Sequence, residues 1–135
     1  MELPIYTESI ATKIVDAALK VHKRLGPRLL EIVYEACLQY ELKKAGLEVK
    51  RQVYLPIIYD NMIFNEGLKL DLLVENLIII ELKAVEKVNP LWQAQIISHL
   101  KLLDKDLGFL ININVPLIKQ GIKRFRKSDK SVDYI

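Results

Sequence analysis

Asp71, nine intervening residues and then Glu81-Leu82-Lys83 are the side chains of this chain best suited to chemistry. Their surroundings are strongly apolar: Leu72, Leu73 and Val74 follow the aspartate, and Ile78, Ile79 and Ile80 run straight into the glutamate. That β-branched run favours a buried strand over a helix. Side chains alternate along a strand, so Glu81 and Lys83 share one face and Leu82 takes the other. Charge in such a setting is costly unless it is paired or holds a metal. Two carboxylates and an ammonium on adjacent strands suit a divalent cation with oxygen ligands. A plainer arrangement also fits, a same-face Glu-x-Lys ion pair on an exposed edge, which contributes little.

The elements that must position these groups can be read along the chain. A first helix is predicted from about residue 7, with Ile10, Ile14, Ala17, Ala18 and Val21 at helical spacing, stopping at Leu25-Gly26-Pro27. A second runs over 29–45, with Ile32, Val33, Ala36, Cys37, Tyr40 and Leu42 forming its apolar surface, and Gly46 ends it. Residues 48–59 then mix β-formers with alternating polar groups, and Pro56 suggests an edge strand or a bend. Asp60-Asn61 makes a hairpin into 62–64, Asn65-Glu66-Gly67 is expected to bulge, and the strand over 68–74 carries Asp71. Glu75-Asn76 turns the chain into a strand over 77–84. A helix follows over 90–103, opened by Asn89 as cap and Pro90 at its first position, then a strand over 108–113. Residues 117–125 read as a short helix or a last strand. The order helix, helix, three antiparallel strands, helix, strand predicts an α/β fold in which helices cover a mixed central sheet.

Bulk composition sets limits. The 135 residues fit one domain, 1–135, with enough length for a real core. No stretch approaches the ~20 apolar residues of a membrane span, and the N-terminus has acidic groups and no apolar signal core. With one cysteine, Cys37, there is no internal disulfide, and a buried structural thiol in the cytoplasm is the expected role. His22 and His99 stand alone, so the chain offers three Cys or His side chains where structural zinc takes four. Net charge is only +3, yet residues 119–130 carry six basic groups against one acidic, a weak lean toward a polyanionic partner. Half the residues are hydrophobic, which is compatible with a homodimer.

Several stretches together resemble a known family. Gly26-Pro27-Arg28-Leu29-Leu30-Glu31-Ile32-Val33-Tyr34 resembles the signature of the GxxExxY protein family, usually Gly-x-Gly-Leu-Leu-Glu-x-x-Tyr. Arg51-Gln52 through Tyr59, Gly67 to Asp71, Glu81-Leu82-Lys83, Ala94-Gln95 through Lys101, and Gly108 to Asn112 agree in order over roughly residues 10–125. That family is assigned to the PD-(D/E)xK nuclease-like superfamily, with a restriction-endonuclease-like core.

The resemblance implies a metal-dependent nuclease acting on DNA or RNA, or the same fold kept as a nucleic-acid-binding or protein-interaction module without turnover. It implies Asp71 and Glu81 as ligands of Mg²⁺ or Mn²⁺, Lys83 as the catalytic lysine, Glu31 as a first-helix carboxylate joining the metal site, and Gln95 as a glutamine beside the lysine. Tyr34, three residues after Glu31 and on the same helix face, is expected to pack with its hydroxyl anchored on the site. Gln52 could point into the cleft. Trp92 is expected to cap the core or stack on a base. Arg28 departs from the usual Gly, Lys69 from the usual Arg and Trp92 from a frequent His.

Overall fold

The computed structural model describes residues 2–129. Helices α1 (Ile5–Leu25) and α2 (Glu31–Lys44) lead into strands β1 (Val49–Tyr59), β2 (Met62–Val74) and β3 (Ile78–Lys83). Helix α3 (Pro90–Leu103) and strand β4 (Leu107–Asn112) follow, and a 3₁₀ turn, Ile118–Gly121, feeds a fifth strand, β5 (Ile122–Phe125). The ambiguous stretch 117–125 is therefore both a short helix and a strand. The sheet order is β1-β2-β3-β4-β5, with β3 and β4 parallel across the α3 crossover and every other pair antiparallel. This is the α/β arrangement expected, a mixed central sheet flanked by helices.

Alternation along the inner strands divides the core in two. Ile78, Ile80 and Leu82, with Leu107, Phe109 and Ile111, pack beneath α1 and α2, whereas Ile79 and Leu110 pack beneath α3. Helix α3 presses close: a Cβ on Gly108 would lie 2.9 Å from the Ile79 side chain and 3.1 Å from Ile96. The predicted start of α3 holds in detail, since Leu91 N–H donates to Asn89 Oδ1 at 2.9 Å behind Pro90.

The apolar face expected for α2 holds only in part, at Leu42 and partly at Cys37. Tyr34, Leu38 and Leu42 are its buried apolar residues, while Ile32, Val33 and Tyr40 are exposed and Cys37 is only half-buried. Two glutamates, Glu35 and Glu41, face inward instead. Their charges are met by Arg51 and Gln52 in one case and by Lys20 and Lys44 in the other. The expected bulge at Asn65-Glu66-Gly67 is present: between the pairs Leu55↔Leu68 and Ile57↔Phe64, those three residues of β2 stand opposite the single Pro56 of β1. Glu75 and Asn76 both take left-handed φ (52° and 54°), the two-residue turn whose twist suits a hairpin.

The β1–β2 ribbon changes face midway. Val49, Leu72 and Val74 belong to the core under α1 and α2, but Val53, Leu55, Leu68 and Leu70 pack toward α3. The crossing point is the level of Gln52, at φ 51°, and Asp71, which the flanking register sets opposite it. The β2–β3 ladder ends there, with Leu72↔Ile80 its last pair.

Candidate active site

Asp71 sits where β2 leaves β3, and its carboxylate takes over from the ladder. Oδ2 accepts the Leu82 backbone N–H at 2.8 Å, clamping the aspartate to the neighbouring strand beside Glu81. Leu82 points into the first core, so Glu81 and Lys83 face α3, as alternation predicts. They line a space of about 20 Å³ with Trp92, Gln95, Ile96, His99 and Leu110, room for about one water molecule.

The two strand carboxyls lie close enough that each shifts the other's proton affinity. Burial first, and then the adjacent Asp71 charge, push Glu81 up to about 8; the Asp71 backbone N–H and Lys83 pull the other way. Asp71 is also raised, chiefly by burial, against the Leu82 N–H. Near neutral pH the pair thus holds one proton between them, the ordinary outcome for carboxyls that cannot both ionise in a dry site. Glu81 Oε1 is buried and has no hydrogen-bond partner among the described residues. An unmet, buried carboxylate oxygen is expensive. Hard oxygen donors with one lone pair unclaimed fit Mg²⁺ or Mn²⁺, and a dication there would replace the shared proton.

Lys83 forms no ion pair among the described residues, which removes the simple Glu-x-Lys pairing; its ammonium lies 4.5 Å from the centroid of the Trp92 ring. Glu31, in the first turn of α2, is raised by partial burial and then by the Asp71 charge, and lowered by Lys83 and the Ala84 N–H. It therefore belongs to the same electrostatic neighbourhood. Among the described residues, however, no three His, Cys, Asp or Glu side chains are gathered closely enough to cage a metal. Gln95 lines the small space beside Lys83.

Other expected residues lie elsewhere or do something different. Tyr34 is fully buried, and its hydroxyl donates to the Ala18 carbonyl of α1 at 3.0 Å, anchoring two helices and not the site. Burial raises its phenol well above the ordinary range. His22 donates Nε2–H to the Val115 carbonyl at 2.9 Å, a structural bond. Gln52 reaches neither Asp71 nor Glu81: its amide donates to both Glu35 oxygens, at 3.0 and 2.9 Å.

Two residues at or beside the site, Glu35 and Asn112, escaped sequence reasoning, and a third, His99, reads there only as an isolated histidine. Glu35, one turn after Glu31, is 3% exposed and accepts Arg51 Nε–H at 3.0 Å. Its charge adds to the raising of both Asp71 and Glu31. The spacing Glu31 to Glu35 was the available signal, since i and i+4 share a helix face. Asn112 bridges the loop after Lys83 by accepting Val85 N–H at 3.2 Å and donating to the Val85 carbonyl at 2.9 Å. His99 brings a second buried orphan atom, Nδ1, to the space that Glu81 lines, and burial holds its ring below the ordinary histidine range, hence neutral.

A family profile described as the PD-(D/E)XK nuclease superfamily matches residues 8–125, a span that takes in every element from the first helix to the fifth strand. Comparison with curated proteins and with solved structures finds no match. Nucleases of this superfamily generally depend on a divalent metal and act on nucleic acid. The mixed sheet, the clamped aspartate at the parting strands and the profile match over most of the chain agree: this protein belongs to the PD-(D/E)XK nuclease superfamily.

Proposed function

We propose that this chain is a metal-dependent nuclease of the GxxExxY type that hydrolyses phosphodiester bonds of DNA or RNA within a single domain, 1–135. The observation that carries this reading is Asp71, clamped by the Leu82 N–H beside Glu81, whose buried Oε1 is unmet in the small space that Lys83 also lines. Asp71 and Glu81 are the proposed ligands of Mg²⁺ or Mn²⁺, with Glu31 contributing from α2. When bound, the cation supplies charge neutralisation at the scissile phosphate and a water of lowered pKa. Lys83 is the proposed catalytic lysine, a compact ammonium for the attacking water or the phosphate charge. Gln95 orients the same groups from α3. Leu82 N–H fixes Asp71, so the pair is preorganised before substrate arrives.

Cleavage of supercoiled plasmid, single-stranded DNA and RNA in Mg²⁺ or Mn²⁺ tests the claim. The wild type is expected to cut at least one of them, and Lys83→Ala to lose roughly 100-fold or more in rate. Equal cutting by both sinks the assignment. Metal-independent, salt-sensitive binding without turnover selects the other reading, a nucleic-acid-binding module.

One observation favours self-association as well. Ile58, Tyr59, Met62, Ile63 and Phe64, at the tip of the β1–β2 hairpin, are each half or more exposed, and β2 has no β3 partner before Leu72. Such an edge can pair with its own copy about a two-fold axis, an isologous contact. A cytoplasmic homodimer is the form proposed.

A further inference from the structure

Lys83 stands beside carboxyls that attract it yet rests on an aromatic ring. Its charge lowers Glu31, Asp71 and Glu81 together, so the pull toward them is real. A lysine on a flexible four-carbon stem ordinarily yields to such a pull and closes an ion pair. Here the ammonium lies 4.5 Å from the Trp92 centroid and makes no ion pair among the described residues.

Trp92 is well placed to hold it. The indole is half-buried against the second core, alongside Ile96, Ile97 and Leu100. It lies in the first turn of α3, which Asn89 and Pro90 pin in place. The ring therefore cannot follow a wandering lysine, while its electron-rich face attracts the ammonium at a fixed point. Glu81, Lys83 and Trp92 line the same small space, so the choice open to Lys83 is between ring and carboxylate.

We propose that Trp92 is a positioning residue that holds Lys83 off the Asp71–Glu81 pair and so keeps those oxygens open to a divalent cation. This rests on the metal reading above. Without the ring, the ammonium folds onto the carboxylates and competes with the cation for the same lone pairs. A ring of any aromatic kind should serve; an aliphatic side chain of similar bulk should not.

The test is Mn²⁺ binding by calorimetry to the wild type, Trp92→Phe, Trp92→Leu, Lys83→Met and the Trp92→Leu/Lys83→Met double variant. Trp92→Leu is expected to weaken binding roughly three- to tenfold, and Trp92→Phe less than about twofold. Adding Lys83→Met to Trp92→Leu should remove the penalty, because the competitor is gone. Wild-type affinity in Trp92→Leu overturns the proposal alone. So does a penalty that persists in the double variant, since the ring would then only support the fold. Failure of the wild type to bind Mn²⁺ overturns the metal reading, and this proposal with it. If Trp92→Leu does not fold, Trp92, the single tryptophan of the chain, gives the answer by fluorescence: Lys83→Met should shift its emission, and an unchanged spectrum overturns the contact.

Discussion

At the scale of residues, the shared proton makes a prediction about pH. Glu81 is held near 8 in the fold against an ordinary value of 4.5. A raised acid binds its proton more tightly when folded, so the stability it confers is complete below about 4.5 and is lost as pH climbs toward 8. Asp71 and Glu31 are raised too and act with the same sign. Thermal unfolding of the metal-free protein should therefore show a falling midpoint from pH 5 to 8, and Glu81→Gln should flatten that slope. A midpoint that rises across this window contradicts the buried, protonated pair. Glu35 gives a second expectation. Removing it as Glu35→Ala leaves Arg51 and Gln52 without their acceptor, at a cost of about 3 kcal/mol in urea unfolding. Asp71, Glu81 and Lys83 were legible because charge inside an apolar strand is anomalous in any sequence. Glu35 was not, because a single glutamate on a helix reads as a solvent-facing position until Arg51 and Gln52 arrive from a strand 16 and 17 residues away.

At the scale of elements, local signals fared best where one residue dictates geometry. Asn89-Pro90 marked the start of α3 to the residue, and Glu75-Asn76 marked a tight turn. Signals that depend on what a face meets were weaker. The apolar pattern of α2 pointed toward Ile32, Val33 and Tyr40, yet the packed face is Tyr34, Leu38 and Leu42 with two glutamates, since α1 and β1 supply the partners. The change of face at Gln52 and Asp71 leaves no trace in either strand alone. The loop into α2 carries its own strain: Arg28 adopts φ 66°, a region that suits glycine. Arg28→Gly should raise stability by about 0.5–1 kcal/mol, read as a higher unfolding midpoint, with the start of α2 and Glu31 unmoved. A lower midpoint would mean that the arginine side chain holds the loop.

At the scale of the whole molecule, charge is less free than composition suggests. Within the basic run, Arg124 pairs with Glu8 at 2.9 Å, Arg126 with Asp106 at 2.9 Å and Lys127 with Asp104 at 2.6 Å; Lys130 lies outside the described residues. Three of the six basic groups therefore tie β5 and the chain after it to the body, which leaves less of the run's charge for a polyanionic partner. Among the described residues, no helix is long and apolar enough to cross a membrane. The exposed hairpin predicts self-association: light scattering should give twice the chain mass, and Phe64→Glu should shift it toward the monomer. A wild-type monomer at high concentration would leave the hairpin without that role. The central claim is a metal site between two strands, and it can be tested without guessing the substrate. Crystals soaked in Mn²⁺ should show anomalous density bridging Asp71 and Glu81, about 2.1 Å from oxygens of both. Density elsewhere, or none at saturating Mn²⁺, would contradict it.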